Sequence, residues 1–177
     1  MVMKTGNNIY LVGMPGAGKT TVARQLARKL QRRFVDADQE LEAATGVGIP
    51  LIFEIEGEAG FRQREAKVLA ALSQESDLVV ATGGGAVLRP ENRQVLRSSG
   101  TIVYLHVAPT LLHRRMRNDS KRPLLQVEDR EERLNQLFQQ RDPLYREIAD
   151  LVIDGLGRSV ANLVKNLEQQ LKNQCAA

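Results

Sequence analysis

The apolar run Ile9-Tyr10-Leu11-Val12 leads directly into Gly13-Met14-Pro15-Gly16-Ala17-Gly18-Lys19-Thr20. After it, Val22, Ala23, Leu26, Ala27 and Leu30 recur at helical spacing. This strand–loop–helix order constrains the chain more than any other feature, because the loop matches G-x-x-x-x-G-K-[ST] at every fixed position. The glycines let the backbone wrap so that successive N–H groups converge on phosphate oxygens, and the helix amino terminus adds positive potential. Lys19 would reach the β- and γ-phosphates, and the Thr20 hydroxyl would ligate Mg²⁺. A glycine-rich turn with no ligand is the plain alternative, disfavoured by the flanking elements. A nucleoside triphosphate site over Gly13 to Thr21 is therefore expected.

The remaining chain alternates short apolar runs with amphipathic stretches. Strands are expected near 8–12, 34–36, 78–82, 101–107 and 151–153, and helices near 18–32, 38–45, 58–75, 90–98, 109–117, 127–140 and 158–173. Leu78-Val79-Val80-Ala81 and Ile102-Val103-Tyr104-Leu105 are continuous runs, typical of strands covered on both faces by helices. The expected fold is three-layer α/β/α with a central parallel sheet of about five strands, in one domain over residues 1–177. Gly46 to Pro50 reads as a break between helices rather than a domain boundary.

Composition removes several function classes. Hydrophobic residues at 42% and charged residues at 26% are globular values, not disordered ones. No apolar run approaches the ~20 residues of a membrane span, and no signal pattern opens the chain. The single Cys175 can form no internal disulfide. A cytoplasmic protein without membrane partners is expected. Net charge is +4, with 18 arginines against 7 lysines, but the arginines are scattered. With 4% aromatics and no tryptophan, base stacking is poorly served, so no nucleic-acid partner is expected. Arginine excess suits bidentate capture of phosphate or carboxylate. His106 and His113 lack metal-ligand spacing. No exposed apolar stripe stands out, which favours a monomer.

In such sheets ligands bind at the carboxyl ends of strands. The second strand ends in Asp36-Ala37-Asp38, whose carboxylates either serve the metal shell and an acceptor hydroxyl or, through Asp38, cap the next helix. The third ends in Thr82-Gly83-Gly84-Gly85, which permits close backbone approach to a ligand or makes a tight turn. Arg62 and Glu65 are spaced i, i+3 on a helix, as a site pair or a surface ion pair. Between His113 and Arg122 lie Arg114, Arg115, Arg117 and Lys121, before Pro123-Leu124-Leu125. This reads as a mobile basic flap able to close over phosphates, or as a solvated loop. Arg141, ahead of Pro143-Leu144-Tyr145, falls near a helix end.

Taken together, the phosphate loop, Asp36-Ala37-Asp38, Gly57-Glu58 with Phe61-Arg62, Thr82-Gly83-Gly84-Gly85, Arg122-Pro123-Leu124-Leu125 and Arg141 before Pro143-Leu144-Tyr145 resemble shikimate kinase over essentially the whole chain. The resemblance implies ATP-dependent phosphorylation of the 3-hydroxyl of shikimate, with Mg²⁺, in the pathway to aromatic amino acids. It implies a substrate-binding segment around 36–65 and a lid around 113–126. Lys19, Asp38 and Arg122 are implied as catalytic, with Asp36 supporting the metal through water. Arg62, Arg141, Asp38 and the glycines Gly83, Gly84 and Gly85 would hold shikimate. Arg115 resembles the adenine-stacking residue, and Arg158 falls in the segment that completes the adenine pocket. A sugar-acid kinase of gluconate-kinase type, or a nucleotide-binding switch without chemistry, are the competing readings.

Overall fold

The strands form where apolar residues face both ways from the pleat. The computed structural model describes residues 6–118, 121–155 and 157–176. Among them are β1 (Asn8–Val12), β2 (Arg33–Asp36), β3 (Leu78–Ala81), β4 (Gly100–His106) and β5 (Leu151–Asp154). They make one parallel sheet in the order β2-β3-β1-β4-β5. Central β1 pairs Ile9 with Val79 and Thr101, and Leu11 with Ala81 and Val103. Every residue of β1 and β3 is buried, as their unbroken hydrophobic runs require. The crevice beyond the carboxyl end of β1, flanked by β3 and β4, is the point where strand order reverses.

The helices are α1 (Lys19–Leu30), α2 (Ala37–Thr45), α3 (Ile49–Leu72), α4 (Pro90–Ser99), α5 (Pro109–Arg115), α6 (Arg130–Ile148) and α7 (Val160–Ala176). Val22, Ala23, Leu26 and Ala27 form the buried stripe of α1, which packs on β3 and α7. Truncating fully buried Leu26 to alanine would cost about 2–5 kcal/mol. Helices α3 and α4 pack on each other, and α5 on α6. Apart from the main core, Leu41, Ile52 and Phe61 form a small cluster joining α2 to α3, with the Phe53 and Phe61 rings 4.8 Å apart.

Two helices depart from the sequence expectation. Residues 49–56, outside the expected helices, are helical and belong to α3, which begins with its first N–H (Ile49) donating 3.0 Å to Glu42 Oε1. Gly57, at φ 70 and ψ −177, breaks the helical path before residues 58–72 continue it. A side chain there would be strained, so glycine marks the junction. Helix α6 was expected to stop at 140, yet it runs through Pro143 to Ile148. Its buried residues Leu134, Leu137, Arg141, Tyr145 and Ile148 lie on one face, and their burial outweighs the hydrogen bond that proline removes. Arg141 is consequently well inside the helix, not near its end.

Candidate active site

Gly18, at φ 96, sits at the cap position of α1, so the phosphate loop runs straight into the helix. Lys19 is buried, and its Nζ donates to the carbonyls of Gly13 and Met14, both at 2.8 Å. Burial, reinforced by the Arg122 guanidinium, pushes the Lys19 ammonium down to about 7. Thr20 Oγ1 donates to Asp36 Oδ2 at 2.8 Å. Asp36 Oδ1 accepts from the N–H groups of Asp38 (3.0 Å) and Gln39 (3.2 Å). Asp36, rather than Asp38, therefore caps α2, which corrects the capping alternative. The side chain of Asp38 enters the crevice instead. Burial first, and the Asp36 charge second, raise its pKa, opposed by Lys19, Arg122 and Arg62.

Next to Asp38 lies a cavity of about 220 Å³. Asp38, Phe53 and Phe61 wall one side, Gly83 to Gly85 another, Leu137 and Arg141 of α6 a third, and Lys121 to Leu125 cover it. The i, i+3 pair is here a buried one: Arg62 Nη1 donates to Glu65 Oε1 at 2.9 Å, with the Glu65 side chain 3% exposed. Burial raises the Glu65 pKa against the pull of Arg62, and burial lowers that of Arg141. Among the described residues, three buried polar side-chain atoms have no hydrogen-bond partner: Arg62 Nε, Glu65 Oε2 and Arg141 Nε. Each such group costs roughly 1–3 kcal/mol when left unmade, and all three belong to residues lining this cavity.

The three glycines do make a turn, but none has a positive φ, so what requires glycine there is close approach. A Cβ on Gly85 would lie 2.3–2.4 Å from the Arg62 guanidinium, and one on Gly83 would lie 2.8 Å from Glu65 Oε2 and 2.9 Å from Asp38 Oδ1. Three charged side chains thus rest directly on bare backbone. The Gly84 carbonyl accepts from the hydroxyl of Tyr145, a residue the sequence reading did not single out as functional. Phe53 and Leu137 were also missed as lining residues, since aliphatic and aromatic spacing alone does not separate a cavity wall from core.

The shikimate kinase family model matches residues 15–172. The chain belongs to the shikimate kinase family. It is 54% identical to the shikimate kinase of Aromatoleum aromaticum over 93% of this chain and 94% of that one. It is 56% identical to that of Dechloromonas aromatica over 90% and 87%, respectively. Among solved structures, shikimate kinase from Acinetobacter baumannii in complex with shikimate superposes with a TM-score of 0.93 at 47% identity, covering 97% of this chain and 96% of that one. The gluconate-kinase and silent-switch alternatives give way to this family.

Of the other residues expected for a shikimate kinase site, only some line the same cavity. Arg122 lines the cavity, and its charge acts on Lys19 and Asp38. Arg115 is exposed, with Nη1 donating to Ala17 O at 3.3 Å beside the phosphate loop. Met14 and Ala17 of the phosphate loop are buried. Pro15 lines the cavity, Thr21 is exposed on α1, and a Cβ on Gly16 would strike Met116. Arg158 is exposed after β5 and is not among the cavity-lining residues. Asp119 and Ser120 of the expected lid, and Leu156 ahead of Arg158, lie outside the described residues. Among the described residues no helix is long and apolar enough to cross a membrane, and no three His, Cys, Asp or Glu side chains cluster to hold a metal.

Proposed function

We propose that the protein transfers the γ-phosphate of ATP to the 3-hydroxyl of shikimate. The observation that carries this reading is the convergence of Arg62 Nε, Glu65 Oε2 and Arg141 Nε, unpartnered and buried, beside Asp38 and the phosphate loop. Two guanidinium donors suit a carboxylate, and carboxylate oxygens suit hydroxyl groups. Shikimate carries one carboxylate and three hydroxyls. The donors and acceptors of the cavity therefore complement its groups in kind.

Phosphoryl transfer asks for positioning and charge neutralisation more than covalent chemistry. Arg62, held by Glu65, and Arg141 would fix the carboxylate end. That leaves the acceptor hydroxyl at Asp38, whose raised pKa makes it a better proton acceptor near neutrality. As the hydroxyl oxygen bonds to the γ-phosphorus, its proton passes to Asp38 and the bond to the β-phosphate oxygen breaks, releasing ADP. Lys19 would exchange its two carbonyl acceptors for phosphate oxygens, and Arg122 would neutralise the transferring group from the covering segment. Gly13 to Thr21 would cradle the triphosphate, with Arg115 and Arg158 at the adenine.

Mg²⁺ fits the donor set. Thr20 and Asp36 supply hard oxygen ligands 2.8 Å apart, too few for a protein cage, which suits an ion bound largely by phosphates and water. Thr20 would hold it directly and Asp36 through water, and when bound it neutralises charge on the β- and γ-phosphates. We further assign a single domain, with residues 36–65 as the substrate-binding segment around the Leu41–Ile52–Phe61 cluster and 113–126 as the lid. A cytoplasmic monomer acting on small molecules, without nucleic acid, completes the reading.

The test is ADP release across shikimate, quinate and gluconate, with the product identified by mass. Turnover confined to shikimate is expected. Equal release with gluconate, or none with shikimate, overturns the assignment.

A further inference from the structure

Tyr145 lies one helical turn after Arg141 on α6 and is fully buried. Its ring packs on that of Tyr104, centroids 4.9 Å apart, and Tyr104 is itself tied by its hydroxyl to Asp142 Oδ1 at 2.7 Å. The ring is therefore fixed, and its hydroxyl has little choice of direction. That hydroxyl donates to the Gly84 carbonyl, 61 residues away in the chain. The Arg141 guanidinium lies close enough to the same phenol for each group to alter the other's proton affinity. One oxygen thus meets both the triple-glycine turn and the arginine of the cavity.

The geometry has a consequence for the turn. The Gly84 carbonyl and the Gly85 N–H belong to one planar peptide and point in opposite directions. Three successive glycines have no side chains to restrict that plane. Pinning the carbonyl on the Tyr145 side therefore directs the Gly85 N–H to the opposite side. Ala86 and Leu88 close the turn through the Gly83 and Gly85 carbonyls, but neither bond restrains the plane between Gly84 and Gly85 directly.

We propose that Tyr145 is a positioning residue, whose hydroxyl clamps the Gly84–Gly85 peptide and the Arg141 guanidinium into one arrangement for the acceptor substrate. It touches no reacting atom. The inference rests on the reading of this cavity as the acceptor site, and it adds a residue that acts through its neighbours.

Tyr145→Phe keeps the ring and removes only the hydroxyl. Loss of one such hydrogen bond corresponds to about a 2- to 12-fold effect. The KM for shikimate should rise by that factor while the KM for ATP stays within about twofold. A purely structural role would lower the thermal midpoint and leave both KM values alone, which overturns the proposal. So does an equal rise in both. Should the variant fail to fold, the wild-type protein decides by NMR relaxation of the Gly84 and Gly85 amides. Order parameters of about 0.85, as in rigid backbone, support the clamp, and values below about 0.6 with Tyr145 in place overturn it. Absence of shikimate turnover in the wild type would refute the acceptor reading instead, and the order parameters would still test the clamp.

Discussion

Gly85→Ala isolates the contact between Arg62, proposed to hold the substrate carboxylate, and bare backbone. The added Cβ would stand 2.3 to 2.4 Å from Nη2, Cζ and Nη1 of Arg62, where ordinary contact begins near 3.4 Å. The guanidinium must therefore retreat by about 1 Å, and a misplacement of that size in an active site lowers kcat/KM about 10²-fold. That corresponds to about 2.7 kcal/mol of transition-state stabilisation. Gly85 is not among the positive-φ glycines, so its backbone accepts alanine, and the atoms displaced are the end of a flexible side chain. Folding should be almost unaffected. A coupled assay of ADP release, varying shikimate at saturating ATP and then the reverse, should place the whole loss on shikimate. Gly84→Ala supplies the contrast: its Cβ would strike the Pro15 ring of the phosphate loop at 2.7 Å, so the KM for ATP should rise as well. A Gly85→Ala enzyme within threefold of wild type for shikimate would show that Arg62 does not work from its place against the Gly85 backbone.

Two other outcomes follow from the buried charges. Lys19, at about 7 without nucleotide, is mostly neutral at pH 8, and a bound triphosphate favours its charged form. Nucleotide binding should therefore take up close to one proton at pH 8 and about a tenth of one at pH 6, read by calorimetry in buffers of different ionisation enthalpy; no uptake at pH 8 would contradict the depressed pKa. Affinity should correspondingly fall, up to tenfold per unit, as pH rises above 7. Asp38→Asn should lower kcat by on the order of 10²–10⁴ with ATP affinity unchanged, and an unchanged kcat would remove Asp38 from proton transfer.

Features governed by neighbours in sequence were legible from the sequence alone. The phosphate loop, the buried runs of β1, β3 and β4, and the i, i+3 pairing of Arg62 with Glu65 depend on local spacing and alternation, and each stands where that spacing puts it. Even the order of strand, loop and helix sufficed to locate the crevice. Tertiary packing decided the rest. Pro143 reads as a helix stop, yet the buried face from Leu134 to Ile148 carries α6 through it, because side-chain burial outweighs one lost backbone bond. Gly46 to Pro50 reads as a break and residues 46–48 are indeed non-helical, but the helix that follows from Ile49 and turns aside only at Gly57 was not legible. Asp36 and Asp38 are interchangeable by composition, and it was the approach of Thr20 that assigned one to the cap and the other to the cavity. The reason for three glycines lies in the Arg62, Glu65 and Asp38 side chains that rest on them, and the role of Tyr145 lies in a carbonyl on another element. Such contacts join residues tens of positions apart. Their energies depend on distance and burial, quantities that exist only once the sheet has brought the strand ends together.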